Sequence, residues 1–310
     1  CISKNALKNL SKKIKILERK ITLEHFKVCK LIIKKNDYLK IDIIGFHGQT
    51  IIHKPEEGFS VQIGDSRLLS KLTKTNVVSG FRDKDILNGG QGAPLAPLYH
   101  YVISSKIKVK FPTVVINIGG IANITYIKNK NNLFAFDTGP GNYLIDKWVK
   151  NKSKMEFDKD GRLSNQGKVN YKILKKFLID SYYKKKIPKS LDVKYFNLKN
   201  FKKVNLRDGC ATLSMLTAMT ICKGINIFKK KPNIILLSGG GRKNKFVVKN
   251  IKKILKKPVK LVDDYNFDGD FIESQAFAYL AIRSYLKKSI SLPNTTGVTK
   301  PSSGGIIYKT

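Results

Sequence analysis

The sequence predicts an α/β fold built on mixed sheets, and three observations carry that prediction. Short apolar runs with period-two alternation are interleaved with longer stretches whose apolar residues recur at helical spacing. Three of the strand-like runs open straight into glycine-rich turns, GG at 119–120, GPG at 139–141 and GGG at 239–241. No repeat of short period competes with this reading.

From the start of the chain, Leu7, Leu10, Ile14, Ile16, Leu17, Leu23, Phe26, Val28, Leu31 and Ile32 approximate helical spacing between lysines and predict a helix over 4–36. IDIIGFH follows as a strand from Ile41, then TIIHK and FSVQIGD as two strands across a Pro-Glu-Glu-Gly turn. A helix over 66–74, a short strand NVVSGF, an irregular loop LNGGQGAPLAP and a helix from Pro97 to Ser104 come next. VVINIGGIANITYI holds two apolar runs, Val114 to Ile118 and Ile121 to Tyr126, around a glycine pair, which predicts a tight hairpin. LFAFD is then a further strand, delivering Asp137 to its end as the backbone turns.

A helix from Asn142 to Asn151, a polar stretch DKDGRLSNQG, a helix from Lys168 to Ser181 and an irregular IPKSLDVKYFN lead to a mostly apolar helix from Asp208 to Cys222. NIILLS runs as a strand into GGG and a basic amphipathic helix from Lys243 to Leu255. VKLVDD as a strand and a helix from Ile272 to Leu286 complete the series.

A chain of 310 residues, 42% apolar, suits one large fold or two lobes. No run reaches the length of a membrane span, no charged-then-apolar leader is read in it, and a start on Cys1 does not read as a natural one. The four cysteines have no CxxC spacing, which argues against zinc, and isolated cysteines suit a reducing cytoplasm. Sixty Lys and Arg against 22 Asp and Glu give a formal charge of +38. Such an excess points first to nucleic acid. Here the lysines are spread over almost every segment, and the Lys, Asn and Ile bias reads as the composition of an AT-rich genome. A nucleic-acid-binding protein is therefore the lesser alternative, although the field would help capture an anionic substrate.

For chemistry, the glycine turns offer backbone N–H groups with room for a phosphate to approach closely. The strand–SGGG–helix unit is the best nucleotide candidate, although it matches neither GxxxxGK[ST] nor GxGxxG. Asp137 in FDTGPGN reads on its own as a turn-capping residue. His47 stands with Gln49 in HGQT, whereas His53 reads as a surface strand-end residue. Arg82 and Asp85 in FRDKD pair as a clamp for a carboxylate or hydroxyl, or as an exposed ion pair. Glu273 opens an apolar helix, where its charge suits the helix dipole or a pocket.

Taken in order, GFHGQT, VQIGD, GGQGAPLAP, NIGGIANIT, FDTGPGN, PKS, SGGG, ESQAFAYLA and LPNTTGV resemble the anhydro-N-acetylmuramic acid kinase family, from about Lys20 onward. The resemblance implies a two-lobed actin-like ATPase fold with mixed sheets. Lobe one is then 1–111 plus 273–310, lobe two 112–272, with the active cleft between them. It implies ATP and Mg²⁺, a small anhydro amino sugar as substrate, no nucleic acid, no membrane, and a homodimer. By matched motif Asp137 is the general base. Gly119, Gly120, Gly139, Gly141, Gly239, Gly240 and Gly241 then line the nucleotide, and His47, Gln49, Arg82 and Glu273 the sugar.

The family's opening phosphate turn, of the Gly-x-Met-Ser-Gly-Thr-Ser-x-Asp-Gly type, has no counterpart here. That implies a first lobe incomplete at its N-terminus, as in a fragment, with an inactive sugar-binding homologue as the alternative. Gly80 stands where the family pattern is acidic, and LDVKYFN replaces its Thr-Gly-Arg-Glu continuation.

Overall fold

A computed structural model describes residues 12–310. Leu7 and Leu10 of the expected first helix lie outside the described residues. In order the chain forms α1 (Lys12–Lys35), β1 (Ile43–Gly45), β2 (Gln49–Lys54), β3 (Phe59–Ile63), α2 (Ser66–Thr73), β4 (Asn76–Ser79), α3 (Asp83–Leu87) and α4 (Pro97–Lys106). Then come β5 (Thr113–Ile118), β6 (Ile121–Asn129), β7 (Asn132–Pro140), α5 (Tyr143–Lys152), α6 (Arg162–Gln166), α7 (Tyr171–Leu178) and α8 (Leu206–Asn226). β8 (Ile234–Ser238), α9 (Lys245–Leu255), β9 (Val259–Leu261), α10 (Ile272–Tyr285), α11 (Pro293–Thr296) and β10 (Ile306–Tyr308) complete it. By contact, the described residues up to Tyr99 form one unit with Ser274–Thr310, and His100–Glu273 form a second.

The second unit is built on a five-stranded sheet in the order β7-β6-β5-β8-β9. β5, β6 and β7 form an antiparallel meander, while β5, β8 and β9 are parallel. VVINI and IILLS are continuous apolar runs because the parallel strands they form are covered on both faces. On one side Ile116, Ile118, Ile124 and Phe136 pack with Ala218, Ile221 and Ile225 of α8 and Val247 and Ile251 of α9. A second cluster joins Leu144 and Trp148 of α5, Leu174 and Phe177 of α7, and Leu213 and Leu216 of α8. α8 serves both clusters, so it is apolar on nearly every face.

The expected polar stretch at 158–167 contains the short helix α6. Buried Asp158 starts it by accepting from the N–H groups of Leu163 (2.8 Å) and Ser164 (3.0 Å) and from the Ser164 hydroxyl (2.6 Å). α7 spans less than its expected range, ending at Leu178 before a 3-10 turn at Ser181–Lys184.

In the first unit, β1 and β10 flank β4, parallel and antiparallel respectively. The expected hairpin across Pro55–Gly58 is present as β2 and β3. The strand from Ile41 shortens to three residues, and β10 answers to no sequence pattern. Gly45 passes against α10 so closely that a Cβ there would lie 2.4 Å from the Phe277 carbonyl oxygen. Val78, Phe81, Leu95, Leu280 and Ala281 fill the space beneath.

Candidate active site

Asp137 does not stand at a strand end. β7 continues to Pro140, and the pairing slips between Ala122↔Gly139 and Asn123↔Asp137, leaving Thr138 as the extra residue of a β-bulge. A bulge re-aims the neighbouring side chains, and sequence alone gives no sign of it. Asp137 is 7% exposed. The segment after α7 straps it down from outside the sheet. The Asp137 N–H donates to the Lys189 carbonyl (2.9 Å), the Leu191 N–H donates to Asp137 Oδ2 (2.8 Å), and Tyr182 Oη donates to the Asp137 carbonyl (2.6 Å). Lys189 Nζ in turn donates to the Tyr182 carbonyl (2.9 Å). The Lys-Ser of PKS is thus brought against the carboxylate-bearing strand. Burial, then the charges of Lys223 and Lys185, lower the Lys189 ammonium pKa to about 8, and Asp137 opposes that shift.

The seven glycines divide by what a side chain would meet. At Gly141 a Cβ would lie 2.2 Å from the Gly119 carbonyl oxygen, and at Gly241 2.2 Å from Ile118 Cγ2. At Gly139 it would lie 2.8 Å from Thr220 Oγ1. Gly239, at φ +75°, would bring it 2.3 Å from Asn117 Oδ1. Packing or backbone conformation accounts for these four, and GPG is strand and packed junction rather than an open turn. Gly119, Gly120 and Gly240 are different: nothing comes nearer than 3.6, 3.7 and 3.8 Å respectively. Their lack of a side chain leaves open backbone, which is what close approach of a phosphate needs. Asn142, before α5, links the two turns. Its N–H donates to the Gly119 carbonyl (2.7 Å) and its Nδ2 lies 3.3 Å from the Ile118 carbonyl.

The SGGG turn is held from below by Arg242, whose side chain is 4% exposed. Its guanidinium grips Asp263 with two bonds (2.7 and 2.8 Å), Asp270 (2.6 Å) and the Gly239 carbonyl (3.1 Å). These hydrogen bonds hold the guanidinium charged, and Asp270, bonded by Arg242 and then Lys243, titrates at about 2. Beside the turn a cleft of about 380 Å³ is lined by Asn142, Asp146, Phe157, Lys159, Gly240 and Asn244, among others. Burial pushes the Asp146 carboxyl up to about 6, against the pull of Lys150 and with a smaller push from Asp158.

In the first unit His47 and Arg82 meet. Arg82 Nε donates to His47 Nε2 (3.0 Å), so Nδ1 carries the imidazole proton and donates to the Gly48 carbonyl (2.9 Å). Burial, then the Arg82 charge, lower the His47 pKa to about 4, which keeps the ring neutral. Arg82 Nη1 also holds the Gly92 carbonyl (3.1 Å) of the GGQG loop. His47 opens on a cavity of about 680 Å³ that also presents Ser66, Arg67, Ser79 and Asp83. Gln49 is exposed at the start of β2, and Glu273 is exposed in the first turn of α10. Asp85 is no clamp for a ligand. It is fully buried, accepting from the Gly92 N–H and the Thr296 hydroxyl (both 2.6 Å), and so braces the GGQG loop from within.

A family model described as anhydro-N-acetylmuramic acid kinase matches residues 3–310. The chain belongs to this family. It is 51% identical over 320 residues to the anhydro-N-acetylmuramic acid kinase of Pelagibacter ubique, covering 98% of this chain and 84% of that one. The anhydro-N-acetylmuramic acid kinase of Zymomonas mobilis is 40% identical over 294 residues, covering 94% and 80%. Among solved structures, the activator of 2-hydroxyisocaproyl-CoA dehydratase from Clostridium difficile, with bound ADPNP, is similar over 77% of this chain and 92% of that one. Identity there is 14% and the TM-score 0.42, too distant to bear on function.

Within the anhydro-N-acetylmuramic acid kinase family frame, sequence reasoning missed Asn142, Asp146, Tyr182, Arg242 and the cavity residues Ser66 and Asp83. Asn142 alone left a signal, as the polar residue between GPG and a helix. The Arg242 partners lie 21 and 28 residues away, where no local pattern reaches.

Proposed function

We propose that this chain catalyses ATP-dependent hydrolytic phosphorylation of 1,6-anhydro-N-acetylmuramic acid to N-acetylmuramic acid 6-phosphate. The carrying observation is the bulged, strapped Asp137 on a strand adjoining the open Gly119-Gly120 turn, in a chain of this family. Asp137 takes a proton from a water molecule as the water oxygen bonds to the anomeric carbon. The C1–O6 bond breaks, O6 bonds to the γ-phosphorus, and the β–γ bridging P–O bond breaks to release ADP. The Leu191 N–H bond fixes one carboxylate oxygen, and in this reading the carboxylate so held is the single positioned base.

Gly119, Gly120 and Gly240 offer open backbone for the nucleotide. Gly139, Gly141, Gly239 and Gly241 shape the turns that present it. Mg²⁺ supplies charge neutralisation on the phosphates when bound. Among the described residues no three His, Cys, Asp or Glu gather as a metal site. His47, with neutral Nε2 held by Arg82, Gln49 and Glu273 contact the sugar. The reading places the reaction in the cytoplasm, where ATP is at hand, in a homodimer.

The test is Asp137→Asn in the full-length protein. The amide oxygen still accepts from Leu191, so thermal unfolding should stay close to that of the parent. Turnover of ATP with the anhydro sugar should fall about 10²- to 10⁴-fold, the usual weight of a general base. A variant keeping more than a tenth of the parent rate would remove Asp137 from that role.

A further inference from the structure

A cleft of about 430 Å³ lies at the outer edge of β7, between that strand, the second half of α8 and residues 183–189 of the strap over Asp137. Four lysines, Lys185, Lys186, Lys189 and Lys223, line it together with Tyr183 and Thr220. No acidic side chain is among its lining residues. The nearest carboxylates are engaged elsewhere: Asp180 accepts from the Tyr182 N–H and Tyr195 Oη, and Asp137 from the Leu191 N–H. The Tyr183 hydroxyl is buried and has no hydrogen-bond partner among the described residues, which is unfavourable unless a ligand accepts from it or donates to it. Its ring is fixed by stacking on Phe196 and by the Lys223 ammonium 5.1 Å from its centroid.

Four ammonium groups, opposed only by Asp137 acting on Lys189, gather around a hydroxyl with no partner among the described residues, and that chemistry suits an anion. We infer that this cleft binds a small phosphate- or carboxylate-bearing anion, separately from the nucleotide and the sugar. Lys189 is the buried contact, Lys185, Lys186 and Lys223 close the rim, and the Tyr183 hydroxyl donates to an anion oxygen. Burial first, and then the charges of Lys223 and Lys185, lower the Lys189 pKa, which would rise on occupation by an anion. Depth distinguishes this cluster from the lysines scattered over the rest of the surface, since Lys189 is only 9% exposed. The inference stands independently of the kinase reading.

The test is calorimetric titration of the full-length protein with inorganic phosphate and, separately, malonate, at constant ionic strength and without nucleotide. Saturable binding is expected for at least one of them, and which one binds tells a phosphate ligand from a carboxylate ligand. Lys223→Met, an exposed change that leaves the fold alone, should weaken binding at least tenfold, as should Lys189→Met. Lys249→Met on α9, with the same change in net charge, should leave it unaltered. Heats that never saturate, or an equal loss in Lys249→Met, would overturn the site. So would binding that a non-hydrolysable ATP analogue displaces and Lys223→Met ignores, since that anion would sit on the glycine turns. ATP turnover plays no part in this readout, so the kinase reading can fail without it.

Discussion

Adjacent glycines of the SGGG turn should respond in opposite ways to one added methyl group. In Gly241→Ala the new Cβ would stand 2.2 Å from Ile118 Cγ2 and 2.7 Å from its Cβ, more than an ångström inside ordinary contact. Ile118 is fully buried at the end of β5, so it cannot swing aside without moving the sheet. Overpacking of this kind costs about 1–3 kcal/mol. In Gly240→Ala the nearest atom is Asn142 Nδ2 at 3.8 Å, and the backbone there does not require a positive φ. Its stability should be unchanged or up to about 1 kcal/mol higher, because the unfolded chain loses freedom. If the nucleotide lies against this backbone, the same methyl holds it off, and KM for ATP should rise about tenfold, equivalent to about 1.4 kcal/mol. Denaturant unfolding and steady-state kinetics on the two variants test both halves. Parent stability in Gly241→Ala would refute the packing argument. Parent KM for ATP in Gly240→Ala would refute the assignment of that turn to the nucleotide.

Two further predictions concern what holds the second unit together. His100 is buried against the Thr125 hydroxyl (2.7 Å), and burial lowers its pKa to about 4. The unfolded chain takes up this proton near pH 6.5 and the folded one only near 4. Stability is therefore whole above about 6.5 and falls on acidification through that window, by about 3 kcal/mol in all. His100→Asn should lower stability at pH 7.5 yet flatten the slope between pH 6.5 and 4, and an unchanged slope would clear His100 of the effect. Arg242→Lys keeps the charge but cannot form the planar two-bonded grip on Asp263. Because Asp263 and Asp270 are 37% and 40% exposed, the loss should be about 1–3 kcal/mol rather than the full value of a buried pair. KM for ATP should rise with it as the Gly239–Gly241 turn loosens.

The 114–126 hairpin, the strand–SGGG–helix unit and the apolar α8 were all legible, because each is written in local periodicity, whereas the pairing of β7 with β6 was not. The position of Asp137 was legible only as far as its strand. The bulge at Thr138 is a property of pairing with β6, and the strap from 182–191 is irregular chain whose bonds run through backbone atoms. The glycine motifs were visible, but which glycines are structural depends on neighbours such as Thr220 and Ile118, far away in sequence. FRDKD shows the same limit: Asp85 reads as an exposed partner of Arg82 until the fold turns it inward to Gly92 and Thr296.

The pairing of β10 with β4 has a consequence for how the protein is made. Ser79 and its partner Ile306 are separated by the whole second unit. On a ribosome adding about 5–20 residues per second, β4 waits roughly 10–50 s after its own synthesis before its last neighbour emerges. Throughout that interval one edge of β4, with fully buried Val77 and Val78 at its centre, has no partner strand. The nascent first unit is thus the stage most exposed to capture by another chain. Chaperone demand during expression should fall on that half-made sheet, and a circular permutant starting within the second unit, with the present ends joined, would shorten the wait.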